Sequence, residues 1–290
     1  MKRILLFILT NLAVLALLSV VLFIVENLFG VHLLQGGTAG LLVVAAIFGC
    51  GGSLISLALS KWTAKRMMGV RIIERPDSEL ERWLVGAVKR LADQVEVKMP
   101  EVGIFESEEM NAFATGPRRN AALVAVSSGL LRNMSRTQVE AVLGHEISHV
   151  ANGDMVTLAL LQGVLNTFVI FLARIIGGIV DRAVLRNDRQ ESGIGFFLAT
   201  MVAQFLLGIL ASLIVCWYSR RREFGADEGG AALSGAGNMI DALLMLKRSH
   251  GQPLPQQLQA FGINTGSELG LMRLFMTHPP LDERIAALKT

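Results

Sequence analysis

Four uncharged apolar runs divide this chain: Ile4 to Val25, a glycine-rich stretch from about Thr38 to Leu59, Met155–Leu172, and Gly193–Tyr218. Each is long enough, or nearly so, to cross a bilayer as a helix. One such run can be a buried core helix, but four are hard to bury in 290 residues without lipid. The pattern therefore predicts two membrane hairpins, 1–60 and 155–218. Two polar stretches, 61–154 and 219–290, together have the size of one ordinary domain. In the first of them Leu80, Leu84, Val88 and Leu91 recur at helical spacing, which predicts an amphipathic helix. From Glu101 to Ser127 the pattern shortens. Val102-Gly103-Ile104-Phe105, Asn111-Ala112-Phe113-Ala114 and Leu123-Val124-Ala125-Val126 read as short strands separated by turn residues such as Gly116-Pro117. Ser135-Arg136-Thr137-Gln138 then forms a capping box, and Val139, Val142, Leu143 and Ile147 continue it as an apolar helical stripe. The fold class is α+β: a mainly helical membrane protein with about four transmembrane helices and a small β-sheet.

Composition sharpens this picture. Hydrophobic residues make up 52% of the chain and charged residues 18%, too apolar for a soluble domain of this size. Met1-Lys2-Arg3 before an apolar run resembles a signal peptide. Its apolar core is longer than the usual stretch of about 7–15 residues, and no Ala-x-Ala site follows, so it reads as an uncleaved anchor. Cys50 and Cys216 both fall inside predicted spans, where they read as small packing residues rather than disulfide partners or metal ligands. The net charge of +3 is modest, and its basic clusters sit beside span ends. That placement marks orientation and excludes a nucleic-acid footprint.

Lys2 and Arg3 precede the first run, the loop Glu26–Gly37 has no Lys or Arg, and Lys61, Lys65, Arg66 and Arg71 follow the second. The positive-inside bias places both ends of this hairpin in the cytoplasm, and Arg220-Arg221-Arg222 does the same for the end of the fourth run. Trp62 and Trp217-Tyr218 read as interfacial aromatics. Arg182, Arg186 and Arg189, with Arg174 just before, oppose the rule between the third and fourth runs. Either this hairpin crosses despite its arginines or it enters the membrane without fully spanning.

The candidate chemistry lies in His145-Glu146-Ile147-Ser148-His149. Histidines four apart lie on one face of a helix and can grip one metal ion. Zinc lowers the pKa of a water in its open position, and Glu146 would be the base that takes the proton. Two histidines need a third protein ligand. The metzincin extension would require Gly and His where Asn152 and Met155 stand, so that class is excluded, as is a site-2-type protease for want of a Leu-Asp-Gly motif. Glu223 and Asp227, four apart after the fourth run, share a helical face. Glu223 can complete a His₂Glu site and Asp227 can accept the spare ring N–H of a ligating histidine. The alternative is a solvated acidic face neutralising Arg220–Arg222.

These motifs, with Arg220-Arg221-Arg222-Glu223-Phe224-Gly225-Ala226-Asp227 and a C-terminal Thr277-His278-Pro279-Pro280 followed by Arg284, resemble the HtpX family. Those are bacterial membrane-bound zinc metalloproteases related to the CaaX prenyl proteases, and the resemblance runs over nearly the whole chain. It implies a gluzincin-like fold and one zinc ion per subunit. It also implies a cytoplasm-facing active site in the bacterial inner membrane, and membrane-protein substrates cleaved in envelope quality control. Asn111, Ala112, Phe113 and Ala114 resemble an edge strand to which a substrate peptide adds by backbone pairing; an ordinary half-buried strand is the other reading. His278, before two prolines that fix the chain, is a candidate donor to the tetrahedral oxyanion, with Arg284 as its rival. Two other functions stay open: a CaaX-type protease trimming lipidated C-termini, and a non-catalytic membrane scaffold with a zinc site for folding.

Overall fold

The computed structural model describes residues 37–183, 193–250 and 273–289, with isolated helical positions between 16 and 27. The predicted run Ile4–Val25 and the loop arginines Arg186 and Arg189 lie outside the described stretches. In chain order the elements are α1 (Gly37–Met68), β1 (Arg71–Ile72), α2 (Glu79–Gln94), β2 (Glu101–Phe105), β3 (Ala112–Thr115), β4 (Leu123–Ser127), α3 (Ser128–Asn133), α4 (Arg136–Asn152), α5 (Asp154–Ala183), α6 (Ile194–Ser234), α7 (Ala236–His250) and α8 (Leu281–Ala287). Short 3₁₀ turns occupy Arg119–Ala121 and Arg273–Phe275. These elements form two compact units, one within Met1–Ser56 and Leu158–Val215, the other within Leu57–Thr157 and Cys216–Thr290.

Three described helices are long and apolar enough to cross a membrane: α1, α5 and α6. All outrun their apolar cores. Helix α5 continues through Arg174 to Ala183, so Arg182 is helical rather than in a loop, and α6 runs unbroken through Arg220–Arg222 to Ser234. Within the first unit small residues set the helix contacts. A Cβ on Gly49 would lie 2.4 Å from the Thr167 backbone nitrogen, one on Gly163 2.5 Å from Ser53 Oγ, and one on Gly177 2.0 Å from Thr200 Oγ1. Such close approach is how apolar helices pack where burial from water supplies no drive. Cys50 belongs to this packing, its sulfur 3.5 Å from Thr167 Oγ1. Leu160, Val164, Phe168 and Leu172 form an exposed stripe on α5, as do Phe197, Met201 and Phe205 on α6. Exposed apolar surface on this scale marks lipid-facing helices.

The second unit is built on a four-stranded sheet of order β1-β2-β4-β3. Strands β2 and β4 are parallel, with Val102 opposite Val124, and β1 and β3 pair antiparallel on either side. Helix α4 forms as its sequence predicts. The Ser135 side chain accepts from Gln138 N (3.3 Å) and the Gln138 side chain accepts from Ser135 N (3.0 Å). Its stripe of Val139, Val142, Leu143 and Ile147 is buried against α2, β3 and α7, in a core with Leu84, Val88, Leu91, Val126 and Leu243. Each fully buried side chain of this kind contributes roughly 1.5–3 kcal/mol. Leu80 departs from its predicted place: it lies in the first turn of α2, capped by Ser78, and is 39% exposed.

Candidate metal centre

Helix α4 presents His145 and His149 one turn apart, with ring centroids 4.6 Å apart and planes nearly perpendicular. Both are buried, and their Nε2 atoms converge to 3.1 Å. Helix α6 delivers the third group. Glu223, fully buried, has Oε1 3.3 Å from His149 Nε2 and Oε2 3.6 Å from His145 Nε2. One donor atom from each residue fits within a 4.8 Å cluster, the spacing of ligands around a single ion.

Glycines make this meeting possible. A Cβ on Gly230 would come within 2.9 Å of His145 N, and one on Gly229 within 2.4 Å of Ser148 Oγ, while Gly144 faces Gly230 across the same seam. With no side chains between them, the α4 and α6 backbones approach closely enough for a short carboxylate arm to reach the histidines.

Each ring has its outer nitrogen held. Asp227 Oδ1 lies 2.9 Å from His145 Nδ1, and Asp154 Oδ2 lies 2.5 Å from His149 Nδ1. Sequence reasoning missed Asp154. The α4 helix ends at Gly153 in a left-handed conformation (φ 71°), and that turn swings the first residue of α5 back toward the ring. Asp227 is itself gripped by Arg284, which donates through Nε (2.7 Å) and Nη2 (2.6 Å). His278 Nδ1 donates to Glu223 Oε2 at 2.7 Å, and Arg284 Nη1 lies 3.5 Å from the same oxygen.

Chemically these groups fit a divalent cation. Glu223 Oε1 is buried without a hydrogen-bond partner among the described residues, a costly arrangement for a carboxylate oxygen unless a cation completes it. Burial opposes charge on the His149 ring, but the hydrogen bond to Asp154 and the nearby Glu223 carboxylate outweigh it and push its pKa up to about 9. A metal binding there exchanges for such protons. Glu146 points from the same turn of α4, half-buried, with no hydrogen bond or ion pair among the described residues. Strand β3 lies at the sheet edge and packs on α4; it begins at Ala112, and Asn111 joins it through backbone and side-chain bonds to Ser127. Of the two rivals near Glu223, Arg284 is buried and committed to Asp227, whereas the His278 side chain is 60% exposed.

Comparison with known proteins identifies the family. The model of peptidase family M48 matches residues 78–290. The chain is 58% identical over 295 residues to Protease HtpX of Alkalilimnicola ehrlichii, covering 100% of this chain and 98% of that one. It is 58% identical over 293 residues to the Protease HtpX homolog of Thiobacillus denitrificans, covering 100% and 99%. The crystal structure of S. mikatae Ste24p superposes with a TM-score of 0.67 at 17% identity. That likeness, which speaks to the fold, covers 98% of this chain and 64% of that one. On the family match and these full-length relatives, the chain belongs to peptidase family M48 and is a metalloprotease.

Proposed function

We propose that this protein is a zinc-dependent endopeptidase of the bacterial inner membrane. In this reading its active site faces the cytoplasm, and it cleaves misfolded or damaged membrane proteins in envelope quality control. The observation that carries the reading is the convergence of His145, His149 and Glu223 beside Glu146, which has no hydrogen bond or ion pair among the described residues. A zinc ion held by those three residues would supply Lewis acidity at the scissile carbonyl. Glu146 takes the proton of the attacking water and returns it to the leaving amine, a role a structural site does not need. Asp227 and Asp154 fix the two rings so that both Nε2 atoms face inward. The exposed ring of His278 offers a hydrogen bond to the developing oxyanion.

Substrate class follows from the edge. Residues Asn111, Ala112, Phe113 and Ala114 carry one bulky side chain among small ones, and β3 has one side paired to β4 and no partner strand on the other among the described residues. A peptide added there binds through its backbone, which suits substrates of varied sequence. The lipid-facing helices supply access to membrane proteins. The basic flanks Lys61–Arg71 and Arg220–Arg222 support the cytoplasmic side.

The test is zinc analysis and casein digestion on detergent-purified protein. One zinc per chain and proteolysis abolished by chelator and restored by zinc are expected. A zinc-loaded, folded protein without proteolysis would overturn the reading.

A further inference from the structure

Cys216, Arg220, Glu223 and Asp227 follow one another on α6 at steps of four, three and four, so they form a single stripe along one helix face. The segment 273–284 runs along that stripe and meets every member. Cys216 Sγ donates to Phe275 O (3.3 Å), and Arg220 Nη1 donates to Arg273 O (3.2 Å), Leu274 O (2.8 Å) and Met276 O (2.7 Å). Further along, His278 meets Glu223 and Arg284 meets Asp227. Four consecutive carbonyls are thus held by two side chains. Residues 273 to 278 are all exposed, and their apolar side chains bury little; the side-chain contacts of the segment are Arg273 with Glu283 and His278 with Glu223. Three of the four carbonyls just before His278 are held by the Arg220 guanidinium.

We propose that Arg220 is a positioning residue: it sets the register of the 273–278 segment on α6 and through it places His278 against Glu223. Its Nη1 reaches all three carbonyls with two N–H groups, one of them shared, a reach and donor capacity that a shorter neutral side chain lacks. Neighbouring Arg221 and Arg222 have other surroundings, Arg221 lying over the Trp217 ring and Arg222 Nε 3.9 Å from Glu223 Oε1. This inference rests on the reading of His278 as a group that serves the reaction.

Two measurements test it. Trypsin nicking after Arg273, followed by mass spectrometry in a Glu146→Gln background that prevents self-cleavage, reads the anchor without activity. The bond after Arg273 joins two residues whose carbonyls Arg220 holds, so cleavage requires release of the segment. Arg220→Gln should speed nicking by about tenfold and Arg220→Lys by less, a tenfold change being about 1.4 kcal/mol of lost holding. In the active protein Arg220→Gln should lower kcat on the order of tenfold with zinc content and KM near wild type. In a His278→Ala background the same substitution should change kcat by less than about twofold. Unchanged nicking overturns the proposal, as does an equal fall in kcat with or without His278. Faster nicking with undiminished kcat overturns the link to His278 while leaving the metalloprotease reading intact.

Discussion

Asp154 Oδ2 lies 2.5 Å from His149 Nδ1, across the left-handed Gly153 that ends the metal helix. The contact fixes the ring so that its Nε2 faces Glu223, and a carboxylate on the outer nitrogen makes the inner one a better donor to a cation. Asp154→Ala should therefore weaken zinc binding about 10–100-fold, with Asp154→Asn intermediate because its amide oxygen still accepts the ring N–H. Competition with a zinc-buffering chelator measures this. Equal affinity in Asp154→Ala and wild type would make the contact merely a helix-end interaction.

Glu146 acts on a proton rather than on the metal in the proposed mechanism, so Glu146→Gln should keep its zinc and lose activity. Loss of a general base costs about 10²–10⁴-fold. Metal analysis paired with peptide turnover separates the two effects. Wild-type turnover in the Gln variant would rule the mechanism out.

Glu223 and Asp227 should differ in kind. Glu223→Ala removes a proposed ligand and should deplete zinc as strongly as His149→Ala. Asp227→Ala weakens zinc by a smaller factor, about 10–100-fold, and also leaves Arg284 buried without its bidentate partner. That second loss should lower thermal stability by more than the Glu223 change does, since an unpaired buried charge costs about 3–5 kcal/mol. Thermal unfolding alongside zinc content checks both. Full zinc occupancy in Glu223→Ala would send the search to another ligand.

Much of this site is legible in the sequence because it depends on local periodicity. His145 with His149, and Glu223 with Asp227, are pairs at helical spacing, and the capping box that starts α4 lies within four residues. Three of the four strands are legible too, but not the two-residue β1 or the strand order: β2 pairs with β4, with β3 outside β4, a choice made by non-local contacts. Asp154 escaped for a geometric reason. On an uninterrupted helix it would be turned about 140° away from His149, and only the reversal at Gly153 brings it back. Gly144, Gly229 and Gly230 escaped because a close approach of two helices leaves no periodic trace. Arg220 read as a membrane-orientation signal, and nothing in its neighbours reveals that it holds carbonyls more than fifty residues away.

Sidedness has a direct test. Glu108 carries a side chain that is 95% exposed in the same unit as the metal centre. With Cys50 and Cys216 replaced by serine, Glu108→Cys should resist a membrane-impermeant thiol reagent in intact spheroplasts and react once they are lysed. Labelling in intact spheroplasts would reverse the orientation inferred from the basic flanks.

The glycine seam between α4 and α6 gives a prediction in which two opposed effects can be weighed. Replacing a helical glycine by alanine ordinarily stabilises by about 1 kcal/mol through helix propensity. At Gly225 a Cβ would meet nothing within 4 Å, so Gly225→Ala should raise the midpoint of thermal unfolding or leave it unchanged. At Gly230 the added Cβ would lie 2.9 Å from His145 N and 3.2 Å from its Cα, both backbone atoms that cannot rotate away. The helices must part by several tenths of an ångström, and overpacking of that kind costs about 1–3 kcal/mol, enough to outweigh the propensity gain. Parting them also draws Glu223 back from the histidines, so Gly230→Ala should lose zinc affinity together with stability, whereas Gly225→Ala keeps both. Unfolding midpoints and zinc titrations on the two variants decide it. A Gly230→Ala protein as stable and as zinc-avid as Gly225→Ala would show that the seam has slack and that Glu223 reaches the site for another reason.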